Sequence, residues 1–226
     1  MAARPQSAGH RPALTRDGVL RAAVELADQA GMSSLTMRSL ARHLGVEAMS
    51  LYHHVANKDA LLDGMVDLVF AEMHQPRIGG DWVTEMRLRS VSGRQALTRH
   101  RWAVGLMDSR SVPGPETLRH HDAVIGCLRA GGFSVPMTAH AFALLDAHLY
   151  GFVLQELSLP FRNSDELGDL ADEIIGDLPA DTLPHFTEFA VEHALKPGYA
   201  FGDEFEYGLD LILEGLERRR AGLAEG

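Results

Sequence analysis

Residues 36–58, Thr-Met-Arg-Ser-Leu-Ala-Arg-His-Leu-Gly-Val-Glu-Ala-Met-Ser-Leu-Tyr-His-His-Val-Ala-Asn-Lys, constrain the fold most, because they spell two short helices joined by a tight turn. Thr36 reads as an N-cap whose hydroxyl accepts the backbone N–H of Ser39. Leu40, Ala41 and Leu44 recur at helical spacing and give the first helix one buried face. Gly45 supplies the positive φ that the turn needs. Ala41 is small enough for the second helix to approach, and Leu51 tucks that helix against the first. Ala48, Met49, Ser50, Tyr52 and His53 are left facing outward. They are mostly small or hydrogen-bonding side chains, suited to base edges and phosphates in a major groove. A helical hairpin used only for protein contacts has the same offsets, so that alternative stands beside the DNA-binding one.

The flanking sequence extends the unit. Residues 1–13 carry Pro5, Pro12 and small polar side chains, and read as a flexible tail. Thr15 caps a helix whose Val19, Ala23, Leu26 and Ala30 form one stripe before Gly31 stops it. A three-helix domain over residues 14–60 follows. Asn57 caps a longer helix running to about His74. Lys58 lies in its first turn, where the helix dipole disfavours a cation, so an external phosphate is the expected partner. Pro76 and Gly79-Gly80 interrupt the chain. Beyond them only helices are predicted: Trp82 to about Leu106, Glu116 to Ala130, a long apolar one from Pro136 to about Leu159, Asp165 to Gly176, Asp181 to Leu195, and Asp203 to about Arg220. No run alternates as a strand does. The predicted fold is all-α, with a small helix-turn-helix DNA-binding domain and a larger helical domain over 61–226.

The net charge of −10 argues against nucleic acid until it is divided. Residues 1–60 hold seven Lys and Arg against five Asp and Glu, a balance of +2, and the rest of the chain carries −12. A mildly basic head on an acidic body can meet phosphates at one end. The single cysteine, Cys127, forms no internal disulfide and fits a reducing cytoplasm. The N-terminus has no apolar stretch of the secretory kind, and no later segment reaches membrane-spanning length without charge, so a cytoplasmic protein without a membrane partner is expected.

The hairpin and its continuation Asn57-Lys58-Asp59-Ala60-Leu61-Leu62-Asp63 resemble the DNA-binding domain of the TetR (tetracycline repressor) family. The resemblance rests on Leu35-Thr36-Met37-Arg38, Gly45-Val46-Glu47, Leu51-Tyr52 and His54-Val55 through Asn57-Lys58. It implies that Thr36, Arg38, Ala48, Met49, Ser50, Tyr52, His53 and Lys58 face DNA. Met37, Ala48, Met49 and His53 depart from the tetracycline repressor, so its operator is not implied. Residues 144–156 and 205–216 are similar in pattern to the C-terminal domain of the tetracycline-repressor branch. That similarity implies a homodimer built on a four-helix bundle, with Tyr150, Val153, Leu209, Ile212, Leu213 and Leu216 as interface candidates. Gly151, Gly208 and Gly215 would let the helix backbones come close.

The same resemblance implies a repressor released from a palindromic operator by a small molecule held among the C-terminal helices. A few polar or part-polar side chains in an apolar wall supply candidates for its lining: His100, Trp102, His140 and His148, with the apolar Met86, Met107, Leu144 and Phe152. Met107 stands where the tetracycline repressor's metal-holding histidine falls. A thioether gives a hard magnesium ion nothing, so magnesium–tetracycline recognition is not carried over. His140 and His148 lie about 12 Å apart along one helix, too far to share an ion. No metal and no cofactor is expected. Nor is catalysis, because the chain has no nucleophile motif, phosphate loop or metal set.

Overall fold

The computed structural model describes residues 13–107, 109–161, 166–170 and 183–224. Their regular structure is all helical, with no strand among them. In chain order the helices are α1 (Arg16–Ala30), α2 (Met37–Leu44), α3 (Ala48–Leu51), α4 (Lys58–Glu72), α5 (Trp82–Arg99), α6 (Pro115–Ala130), α7 (Val135–Ser158), α8 (Pro184–Phe189) and α9 (Glu204–Ala224). All of the expected tail but Ala13 lies outside the described residues, as does most of the expected 165–176 helix, of which 166–170 is helical. The expected 181–195 helix is α8 followed by a wider π-type turn at Ala190–Ala194.

Local chemistry sets the first four helices. Thr15, Thr36 and Asn57 accept the backbone N–H groups of Gly18, Ser39 and Ala60 at 3.1, 3.0 and 2.8 Å. Ser39 returns a bond to the Thr36 N–H, closing a reciprocal cap. Gly45 sits at φ 65°, ψ 39°, with its N–H satisfied by the carbonyls at the end of α2. Leu35, Leu40 and Leu51 are fully buried, and with Val19, Ala23 and Leu61 they form the first core. Each such aliphatic contributes roughly 1.5–3 kcal/mol by leaving water.

The second core lies among α4 to α7 and α9, around Phe70, Met86, Leu97, Phe133, Leu145, Leu149, Phe205 and Leu209. The two cores meet on α4. Its Leu61, Leu62 and Met65 belong to the first, and its Val66, Val69 and Phe70 to the second. A boundary at residue 60 therefore falls inside the first core.

Packing within the chain corrects one expectation and bears on two more. The helix predicted to reach Leu106 ends at Arg99, because His100 leaves helical geometry at ψ 64° and residues 101–107 continue as turns. On α9, Leu209, Leu213 and Leu216 turn into the chain's own core, as does Val153 of α7, while Tyr150 and Ile212 are half-buried. The apolar stripe is thus used within one protomer rather than displayed. Of the three glycines expected at close contacts, Gly208 makes one: a Cβ there would lie 2.8 Å from the His148 ring, whereas Gly151 and Gly215 face open space. Helix α7 is long and apolar enough to cross a membrane. Its Asp146 and Glu156, however, pair with Arg89 and Arg94 of α5, and its inner face packs in the second core.

Candidate DNA interface and effector site

The outward surface of α2, α3 and the start of α4 carries the residues singled out from sequence. Arg38, Tyr52, His53 and Lys58 are exposed, and no hydrogen bond or ion pair engages their side chains among the described residues. Met49 is 71% exposed. Ala48 and Ser50 are half-buried at the helix edge. Thr36 is exposed, but its hydroxyl is committed to the cap. Helix α3 is a single turn, with Tyr52 to His54 continuing as a turn, so its outward side chains are few.

Helix α4 joins this surface to the body through a line of carboxylates. Asp59, Asp63 and Asp67 recur one helical turn apart and so share one face. Arg110 donates to Asp63 at 2.6 Å and to Asp59 at 3.2 Å. Asp67 accepts both the N–H and the hydroxyl of Thr117, at 2.8 and 3.0 Å. It thereby caps α6 from another helix, since Gly114 at the cap position has no side chain to do so. At the far end Glu72 receives His100 Nε2 at 3.1 Å, and Asp28 of α1 receives His100 Nδ1 at 3.0 Å and the Trp102 indole N–H at 2.7 Å. Replacing Asp67 by Ala removes the α6 cap and is expected to cost about 1–2 kcal/mol, read from the shift of the urea unfolding midpoint; an unchanged midpoint would contradict the tie.

The structure does not gather the eight effector candidates into one site. Met86 and Met107 are buried in the second core. His100 and Trp102 sit at the junction with α1 just described. His140 and Leu144 are exposed on α7. His148 stacks on Phe205 at 5.0 Å and meets the Phe205 carbonyl at 3.1 Å, while Phe152 stacks on Phe201 and lies under Arg94.

A buried polar cluster that the sequence reading missed lies between α5, α6 and α7. Arg89 is fully buried, and donates from Nε to His120 Nε2 at 3.3 Å and from Nη2 to Asp146. The other nitrogen of His120 meets Gln75 Oε1 at 3.2 Å. Burial, reinforced by the Arg89 charge, pulls the His120 pKa down to about 3. Nearby, buried Glu85 accepts from His74 at 2.7 Å and from the Arg77 backbone and side chain. These bonds hold its carboxyl down at about 2. The signal was present in the register. Trp82, Glu85, Met86, Arg89, Gly93, Ala96 and Leu97 mark one face of α5, and two of its members are charged.

The family model described as tetracyclin repressor-like, C-terminal domain, matches residues 75–220, and that for bacterial regulatory proteins of the tetR family matches residues 19–65. The chain belongs to the TetR family. It is a DNA-binding transcriptional regulator, as are the relatives it matches. It is 36% identical over 159 residues to an HTH-type transcriptional regulator of Saccharopolyspora erythraea, covering 70% of this chain and 66% of that one. It is 30% identical over 222 residues to the HTH-type transcriptional repressor DrrR1 of Streptomyces coeruleorubidus, covering 95% and 81%. Among solved structures, apo ActR of Streptomyces coelicolor superposes with a TM-score of 0.77 at 28% identity, covering 93% of this chain and 98% of that one. ActR in complex with actinorhodin gives 0.75 at 29%, covering 92% and 99%.

Within this TetR-family fold Met107 presents a buried thioether, which does not fit a hard divalent ion. Among the described residues no three His, Cys, Asp or Glu side chains converge as a metal set.

Proposed function

We propose that the protein is a cytoplasmic, homodimeric repressor that sits on a palindromic operator and leaves it when a small molecule enters the C-terminal helices. The observation that carries this reading is the exposed face of Arg38, Met49, Tyr52, His53 and Lys58, unpartnered among the described residues and tied by the carboxylates of α4 to the body. Arg38, Ser50 and His53 approach bases or the adjacent backbone; Tyr52 and Lys58 hold phosphates. A ligand that prefers a different placement of α4 moves the two reading heads of a dimer away from successive major grooves, about 34–36 Å apart. That ActR was solved with actinorhodin bound supports a ligand-responsive body.

For the dimer, the surfaces left outward matter. On α9 these are Tyr207 and Leu211, 67% and 52% exposed; on α7 they are Leu144, Ala147, Gly151 and Leu154, which share one helical face. A second copy of this chain on those faces would bury them in a four-helix arrangement. The double variant Tyr207→Asp, Leu211→Asp is expected to run as a folded monomer in sedimentation, and a dimer of unchanged strength would reject this face.

Selection of bound duplexes from a random DNA pool tests the whole reading. One enriched palindrome, bound with steep salt dependence, is the expected result. Enrichment of a single unrepeated half-site would reject the dimeric mode, and no enrichment would reject sequence-specific binding.

A further inference from the structure

Two links hold the reading head on the body. One is the chain itself, through α4. The other runs from α1 to the turns that follow α5, and it is polar. Asp28, near the C-terminal end of α1, accepts the Trp102 indole N–H at 2.7 Å and meets His100 Nδ1 at 3.0 Å. The opposite edge of the His100 ring meets Glu72 of α4 at 3.1 Å, and Arg99 pairs with the other oxygen of Glu72. The ring is 4% exposed, held from both edges inside the junction. Among the described residues no other side chain of α1 hydrogen-bonds to the body. Beside these bonds α1 and α4 part, leaving a cleft of about 390 Å³ lined in part by Val24, Glu25, Leu68 and His100, so packing does not fill the junction there. Apolar burial has no preferred direction and tolerates sliding. Hydrogen bonds weaken steeply as their angle opens, so a junction held by them has a defined orientation.

We infer that Asp28, His100 and Trp102 are positioning residues: as a clasp they fix the angle of the reading head on the body, and thereby set the half-site spacing that the dimer accepts. This rests on the dimeric, palindrome-binding reading above. Glu72, backed by Arg99, keeps the His100 ring turned toward α1. One base pair added between the half-sites moves them apart by about 3.4 Å and turns one against the other by about a tenth of a turn. A clasped head follows neither change, whereas a head left on α4 alone can swing to meet both. None of the three residues is among the side chains placed on DNA, so opening the clasp alters which spacing is accepted and leaves the bases that are read unchanged.

Anisotropy titration of the full chain tests this with the selected palindrome, the same duplex with one base pair inserted at or removed from its centre, and a duplex carrying one half-site. The parent is expected to bind the two altered spacings at least about tenfold more weakly than the palindrome, and Asp28→Ala to reduce that penalty to about threefold or less. Asp28→Ala removes both bonds on the head side from a helical position that alanine suits. Trp102→Phe is the second variant. It keeps an aromatic ring in the packing, loses one N–H, and is expected to fall between the other two; should Asp28→Ala melt too low to titrate, Trp102→Phe decides alone. A clasp that only stabilised the fold would weaken binding to the palindrome and both altered spacings by one common factor. Ratios among these duplexes that match the parent's in the variants would therefore overturn the assignment, as would a parent that ignores spacing while preferring the palindrome to the half-site. Equal affinity of the parent for the half-site and the palindrome would overturn the dimeric reading and the spacing claim together, which separates the two failures.

Discussion

Replacing Tyr52 and Lys58 together by Ala is expected to abolish operator binding while leaving the protein folded. Both side chains are exposed and, among the described residues, unpartnered, so their loss removes nothing from either core. On the proposed reading each is a phosphate contact, and hydrogen bonds to a charged group contribute about 1.5–3 kcal/mol apiece. Two per protomer, doubled by symmetry in a dimer, put the expected loss at a hundredfold or more. Lys58 has a further signature. Removing one cation that meets a phosphate lowers the salt dependence of binding by about one counterion per protomer. A filter-binding or anisotropy titration at two salt concentrations measures both quantities, and circular dichroism checks the fold. Unchanged affinity in the double variant would reject this face as the DNA contact.

Acid should destabilise the protein well above the pH at which its carboxylates titrate. The His120 imidazole takes a proton near pH 3 in the folded chain but near 6.5 when unfolded. Between those values the unfolded state binds the extra proton, so stability is full above about pH 6.5 and is lost as pH falls toward 3. The slope approaches about 1.4 kcal/mol per pH unit for this one group. Glu85 adds to the same trend at lower pH. Its carboxyl is held at about 2 against an ordinary 4.5, so its contribution is present above 4.5 and is lost as pH falls from 4.5 toward 2. Urea unfolding at pH 7, 6 and 5, for the parent and for His120→Gln, isolates the histidine as a difference between two curves. The gap should change by more than 1 kcal/mol over that range. Parallel curves would mean that His120 is already protonated, or accessible, in the folded protein.

The sequence made legible what neighbours along the chain decide. Thr15, Thr36 and Asn57 cap the helices they were expected to cap, Gly45 turns between α2 and α3, and Leu51 is buried against α2. Each of these depends on residues within one or two turns. What escaped depends on which face of a helix another helix covers. The α9 stripe of Leu209, Leu213 and Leu216 is apolar whether its partner is α7 of the same chain or a second copy, and periodicity cannot tell these apart. The effector candidates were chosen for residue type on each helix, whereas the cluster of Arg89, His120 and Asp146 arises from three helices packing together. The early end of α5 has a similar origin. No glycine or proline marks Arg99, and it is the carboxylates of Asp28 and Glu72, distant in sequence, that hold the His100 ring.

The sharing of α4 between two cores limits how such a regulator can acquire a new operator. Grafting another reading head onto this body at residue 60 would split the first core between two parents. Carrying α4 along with the graft would separate Asp63 and Asp67 from Arg110 and Thr117. Neither cut falls where few contacts cross, so exchange of whole modules is penalised. Retargeting by substitution at Met49 and His53 touches neither core nor carboxylate line, and that is the route this architecture leaves open to divergence and to design.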